Sequence, residues 1–177
     1  MLITLPVATR NRFKVMASFV EANFLYHQAS EGGNILEIGT GPGGSSLLMA
    51  QAMEDFEIDG SIYTIGWEEN QVDKDNVAAY INSFVGINRR VVHLPEKSED
   101  VHYRFPAGFF DFIYVDGDHS YEGVARDIRN YAPKLAREGI MAFHDTNKPE
   151  VALAIAAYLP WRLTVSIDRI RGYDQNL

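Results

Sequence analysis

Short apolar runs rich in β-branched and aromatic residues recur along the chain: NILEIG (34–39), SIYTIG (61–66), RVVHL (90–94), FFDFIYV (109–115), GIMAFH (139–144) and WRLTVSI (161–167). Between them the apolar positions follow helical spacing. Val72, Val77, Tyr80, Ile81 and Phe84 define one face, and Val124, Ile128, Tyr131 and Leu135 another. Pro133 ends or loosens the last turn of the second. Ahead of the first strand, Phe13, Met16, Val20 and Phe24 predict an amphipathic N-terminal helix over about 9–30, stopped by Gly32 and Gly33. Strands alternating with helices require crossover connections, so the pattern predicts a doubly wound α/β fold with a mostly parallel sheet covered on both faces.

Composition bounds this picture. The 177 residues suit one domain, 1–177, with no repeat or low-complexity linker to divide it. A net charge of -8 repels phosphate backbones and anionic bilayers, so neither nucleic acid nor membrane is an expected partner. The chain has no cysteine, which excludes disulfides, thiol nucleophiles and thiolate metal sites. Its longest apolar stretch, 151–161, is too short to span a bilayer, and the N-terminus lacks the basic and apolar regions of a signal peptide. The expectation is a cytoplasmic protein acting on a small molecule.

In open α/β sheets ligands bind beyond the carboxyl ends of the strands, and two strand ends here carry chemistry. The first runs into EIGTGPGGSS (37–46), where Gly39, Gly41 and Gly44 satisfy the spacing of a nucleotide-binding turn between strand and helix. Glu37 decides between cofactors. It would oppose the diphosphate of a dinucleotide at this helix N-terminus, yet attract a ligand bearing an ammonium and a sulfonium. Its alternative task is to bind local backbone amides. The other strand end is FIYVDGDHSYEGV (112–124), followed by GIMAFHDT (139–146).

The series Glu37, Gly39, Gly41, Gly43 resembles the first motif of class I S-adenosylmethionine-dependent methyltransferases, which are Rossmann-like. DGDHSYEGV (116–124) with the later HDT is similar to the methyltransferase-24 group, over about 34–146. The resemblance implies O-methylation of a small-molecule hydroxyl, assisted by a divalent metal. It implies cofactor contacts from Glu37, Gly39, Gly41, Gly43, Ser45, Ser98 and Asp116. Gly66 stands where the family pattern has a ribose-binding acid, with Glu68 or Glu69 as the substitute from the loop. Metal ligation is expected of Asp116, His144 and Asp145; carboxylates alone suit Mg²⁺, and His144 shifts the preference toward Mn²⁺, Fe²⁺ or Zn²⁺. His119, with Asp116, is the catalytic candidate, the imidazole acting as general base.

Structural alternatives stand beside these readings. Asp116 or Asp118 would cap a helix beginning near Tyr121, and His144 and Asp145 one beginning near Pro149. Trp67 is either an adenine platform or ordinary surface. The competing functions are an NAD-dependent oxidoreductase, from the literal glycine spacing, and an S-adenosylmethionine-binding module without catalysis, from Gly66. The aromatic N-terminal helix either closes the site or buries itself in a homo-oligomer.

Overall fold

The structure, a computed structural model, describes residues 4–67 and 71–175. Its elements are α1 (Val7–Arg12), α2 (Phe19–Glu31), β1 (Ile35–Ile38), α3 (Gly44–Asp55), β2 (Ile62–Ile65), α4 (Gln71–Asn82), β3 (Val91–Leu94), α5 (Ser98–Val101), β4 (Phe110–Val115), α6 (Tyr121–Tyr131), β5 (Leu135–Phe143), α7 (Pro149–Tyr158), β6 (Arg162–Ile167) and β7 (Ile170–Asp174). They build one seven-stranded sheet in the order β3-β2-β1-β4-β5-β7-β6. The first five strands pair in parallel, while β7 runs antiparallel to β5 and β6 antiparallel to β7. The doubly wound α/β prediction holds, and all six predicted strands form.

Alternating side chains in the strands supply two cores. Phe24, Leu25, Leu47, Leu48, Ile35, Phe112 and Tyr114 pack on the α2–α3 face. Leu36, Ile38, Ile113, Val115, Val124, Ile128, Phe143 and Ile155 pack on the α6–α7 face. Because the central strands are covered on both sides, they read as largely apolar runs, and the one buried acid inside them demands an explanation.

That acid is Glu37. In the parallel register it lies between Thr64 of β2 and Tyr114 of β4, pointing to the α2–α3 face with 0% exposure. The hydroxyls of Ser45 and Ser46, in the first turn of α3, donate to its two oxygens, and Thr64 Oγ1 donates from 2.7 Å. The carboxylate therefore ties the start of α3 to the sheet. Burial pushes its pKa up to about 7, against the three hydroxyls that favour the charge. Above it the glycine bend approaches β4 so closely that a Cβ on Gly39 (φ +106°) would collide with the Asp116 carbonyl oxygen.

Three expectations are corrected. The single N-terminal helix over 9–30 is two helices with an irregular stretch between them. Ser18 opens α2 with a capping box, its hydroxyl accepting from the Glu21 amide (3.3 Å) while the Glu21 carboxylate accepts from the Ser18 amide (2.8 Å). Phe13 is consequently buried from the irregular stretch, and Met16 is 78% exposed. Leu135 belongs to β5, not to the preceding helix: α6 ends at Tyr131, a tight turn containing Pro133 follows, and Leu135 pairs with Phe110. Finally, β7 was not predicted. Its buried positions Ile170, Gly172 and Asp174 alternate, but Gly and Asp hide the apolar period.

Two measurements test these packing arguments. Ser18→Ala removes a cap worth about 1 kcal/mol and should lower the melting temperature by about 2–4 °C. Glu37 binds a proton more tightly folded than unfolded, so its contribution to stability is complete below its ordinary pKa of 4.5 and is lost as pH rises through about 7. Glu37→Gln cannot titrate, so its melting temperature should gain on wild type between pH about 5 and about 8; a pH-independent difference would contradict the burial argument.

Candidate active site

The carboxyl ends of β1, β2, β4 and β5 open onto two adjoining clefts. One, of about 560 Å³, is lined by Gly39, Gly41, Gly66, Trp67, Ser98, Asp116 and Asp127 among others. The second, of about 340 Å³, runs between the bend and the segment joining α1 to α2, and takes in Val15, Leu25, Pro42, Ser45, Tyr114, His119, His144 and Arg169. Gly39, Thr40, Gly41 and Asp116 line both. A larger cavity of about 780 Å³ lies at the opposite end of the sheet, around His27, Gly33, Asp111 and Glu138, and holds none of the predicted site residues.

The first cleft has the form expected for a nucleoside. Gly41 (φ +48°) faces open space, so bare backbone makes that part of the wall. Gly43 (φ +85°) precedes α3 and abuts Ile81, where a side chain would be crowded. Ser98 lines the cleft as predicted, with its hydroxyl donating to Asp127 (2.6 Å). Asp127 was missed because it looks like an ordinary polar helix position. It is 1% exposed, and burial raises its pKa to about 6 despite the Ser98 bond. Trp67 is half exposed at the mouth, with Lys74 Nζ 4.1 Å from its ring centre.

Gly66 also has a structural reason. A Cβ there would lie 2.5 Å from Thr40 Oγ1 and 2.7 Å from Thr40 Cβ, so Thr40 fills the room a side chain would need. Thr64 Oγ1 lies 2.9 Å from Thr40 Oγ1, linking this packing to the Glu37 cluster. Glu68 and Glu69, the substitutes expected from the loop, lie outside the described residues. Glu37 itself sits beneath the bend with its oxygens taken by hydroxyls, so its effect on a ligand passes through the shape and field of the bend.

The ionisable cluster of the second cleft comes from three strand ends and α2. One ligand atom each from Asp116, His119 and His144 can be chosen so that all lie within 4.8 Å of one another. His144 Nδ1 is 3.0 Å from Asp116 Oδ1, and His119 Nε2 is 3.4 Å from the same oxygen. Both nitrogens are buried yet have no aligned hydrogen bond. Unpaired nitrogens converging with a carboxylate are a donor set that fits a divalent transition metal.

Asp145, expected as a ligand, is differently engaged. Lys148 Nζ (2.7 Å) and Arg169 Nη1 (2.9 Å) hold its two oxygens, and it takes a left-handed conformation (φ +52°). Burial raises its pKa but the Lys148 hydrogen bond and neighbouring cations outweigh that, leaving it lowered. His119 Nε2 also lies 3.4 Å from Asp145 Oδ2. The chain thus adds His119 to Asp116 and His144, with Asp145 Oδ1 also 3.4 Å from His144 Nδ1.

Neither aspartate caps α6. Ser120 does so, accepting from the Gly123 amide at 3.1 Å, and Asp118 accepts from the Ser120 amide. Lys148 occupies the cap position of α7, and its side chain, turned to Asp145, makes no capping bond. These results free Asp116 and His144 for the cleft.

Glu21 and Arg169 were also missed. Glu21 is 0% exposed, its Oε1 lying 3.2 Å from His144 Nε2 and its Oε2 accepting from Arg169 Nη2 (3.1 Å). Burial raises its pKa, but the Ser18 amide, Arg169 and His144 together bring it below the ordinary value. Burial disfavours charge on His144, yet Asp116, Glu21 and Asp145 outweigh it and raise its pKa. The S-x-x-E spacing at 18–21 signalled the helix start; nothing local signalled the partner on β5.

Comparison with known proteins agrees with this geometry. Residues 36–146 match the methyltransferase-24 family, described as a methyltransferase domain. An uncharacterized protein, y4gI, of Sinorhizobium fredii (strain NBRC 101917 / NGR234) is 38% identical over 48 residues, 27% of this chain, and the match spans 5% of that protein's length. Among solved structures, the SAH-bound methyltransferase PaMTH1 of Podospora anserina superposes with a TM-score of 0.75 at 18% identity, over 97% of this chain and 89% of that one. The O-methyltransferase TomG of Streptomyces achromogenes, in complex with SAM, gives 0.68 at 16% identity, over 99% and 93%. A putative caffeoyl-CoA O-methyltransferase from Staphylococcus aureus gives 0.70 at 16%, over 94% and 88%. These likenesses carry the fold, and the family match carries more: this chain belongs to the methyltransferase-24 family of class I S-adenosylmethionine-dependent methyltransferases.

Proposed function

We propose that the chain transfers the methyl group of S-adenosylmethionine to a hydroxyl of a small molecule. The observation that carries this reading is the wall shared by the two clefts, Gly39, Thr40, Gly41 and Asp116. With adenosine in the larger cleft, the sulfonium would lie by that wall and the acceptor in the smaller one. Methyl transfer is an in-line displacement, the hydroxyl oxygen bonding to the methyl carbon as the carbon–sulfur bond breaks, so alignment across a common wall is the main requirement. The family relationship and the O-methyltransferase name borne by TomG support oxygen as the acceptor. The diphosphate alternative is disfavoured by the family match and by Glu37 under the bend.

Asp116, His119 and His144 would hold a divalent cation. Bound there, such an ion lowers the pKa of an acceptor hydroxyl so that it loses its proton near neutral pH. The chain's own part is to orient the acceptor against Val15, Leu25, Pro42 and Tyr114, which give the cleft an apolar side. A second reading has an observation of its own. His119 Nε2 is unpaired and 3.4 Å from both Asp116 and Asp145, which would stabilise the imidazolium if His119 took the hydroxyl proton directly.

Calorimetric titration with S-adenosylmethionine and S-adenosylhomocysteine, with and without Mn²⁺, tests the proposal. Saturable binding of both is expected, with turnover of phenols or alcohols that EDTA abolishes. Binding without turnover across a broad acceptor panel would leave a cofactor-binding module, and turnover that survives EDTA but not His119→Ala would favour the general base. A second test concerns Gly66. Restoring an acid by Gly66→Asp should weaken cofactor binding, because the new Cβ meets Thr40, and Thr40→Gly in the same chain should recover it. Tighter binding by Gly66→Asp alone would show that Thr40 does not govern this position.

A further inference from the structure

Glu21 contributes to the cleft only through other residues. It lies on α2, it is fully buried, and each of its oxygens has assigned work: Oε2 accepts from the Ser18 amide at 2.8 Å and from Arg169 Nη2 at 3.1 Å, and Oε1 faces His144 Nε2 at 3.2 Å. Both ring nitrogens of His144 face carboxylates, but only Nε2 is aligned on its partner, and since a carboxylate only accepts, Nε2 carries the proton. In a neutral imidazole the other nitrogen is then a bare lone pair. That nitrogen is Nδ1, buried, 3.0 Å from Asp116 Oδ1 and 3.4 Å from Asp145 Oδ1 with neither contact aligned, on the side of the ring where His119 Nε2 converges.

We propose that Glu21 is a positioning residue that fixes His144 in the Nε2–H tautomer and so aims the Nδ1 lone pair into the cleft as a metal ligand. The metal half of this statement rests on the cation site proposed above; the tautomer half does not. Outer carboxylates that take the second N–H of a ligating histidine set both its tautomer and its ring orientation. The capping box gives Glu21 the rigidity for this, since a side chain bonded to the first amide of its own helix has little freedom left. Arg169 supplies the second constraint. It bridges Glu21 and Asp145, so the hairpin between β6 and β7 braces the same carboxylate from the far side.

Glu21→Gln separates these tasks by atom type. Its amide oxygen can still accept from Ser18 and Arg169, which are both donors, so the cap and the brace survive. Its NH₂ then faces His144 Nε2, which must become an acceptor, and the imidazole proton moves to Nδ1, where it blocks a ligand. Long-range ¹H–¹⁵N spectra of the metal-free full chain, with the imidazoles neutral and the signal assigned by His144→Ala, should show Nε2–H in wild type and Nδ1–H in Glu21→Gln. Calorimetry with Mn²⁺ alone should show affinity falling by about ten- to hundredfold in the variant. Ser18→Ala weakens the same helix without touching His144, and should keep both the wild-type tautomer and the wild-type affinity.

An Nδ1–H tautomer in wild type overturns the proposal, whether or not any variant folds. So does an unchanged tautomer in Glu21→Gln, or a switch in Ser18→Ala. If wild type binds no Mn²⁺ yet the tautomer switches as described, the cation reading fails and Glu21 keeps its positioning role.

Discussion

Glu37 and its three hydroxyls hold the site together. An acid inside a parallel strand covered on both faces costs a great deal unless its oxygens are hydrogen-bonded, and here Ser45, Ser46 and Thr64 donate to both. Since two of those hydroxyls open α3, the same bonds fix where the glycine bend ends and how the helix leaves the sheet. The bend can then lie against β4, with Gly39 touching the Asp116 backbone, and that contact makes a single wall for two clefts. Removing the carboxylate would loosen both at once.

A second charged assembly closes the far side. The carboxylates of Glu21 and Asp145 are bracketed by His144, Lys148 and Arg169 across α2, the end of β5, the start of α7 and the β6–β7 turn. Glu21, His144 and Asp145 are buried, where charge pairs are screened less than at a surface, while Lys148 and Arg169 reach toward solvent. Their arrangement leaves two unpaired imidazole nitrogens beside Asp116, while the cations satisfy Asp145 and Glu21.

Thr40 and Gly66 show how one position of the cleft wall is set by its neighbour. The second strand ends without an acid because the threonine of the bend occupies that room, and Thr40 is in turn coupled through Thr64 to Glu37. That side of the cleft is thus shaped by the packing of the bend, with Trp67, Ser98 and Asp127 as its polar and aromatic lining.

The alternation of strands and helices, the glycine bend and the acids and imidazoles at strand ends were legible in the residues, because periodicity and turn chemistry act over a few positions. The break before α2 was legible in principle from S-x-x-E but was overridden by the wider apolar spacing of Phe13, Met16, Val20 and Phe24. Leu135 fitted a helical face and became a strand residue because Pro133 ended the helix first. By itself, the sequence determined the doubly wound sheet and the residue types at its carboxyl edge. Only the tertiary structure decided that His119 groups with Asp116 and His144, and that Glu21 meets His144 across 123 positions and Arg169 across 148. Such meetings are set by how helices and hairpins dock on the sheet, and no local pattern encodes them.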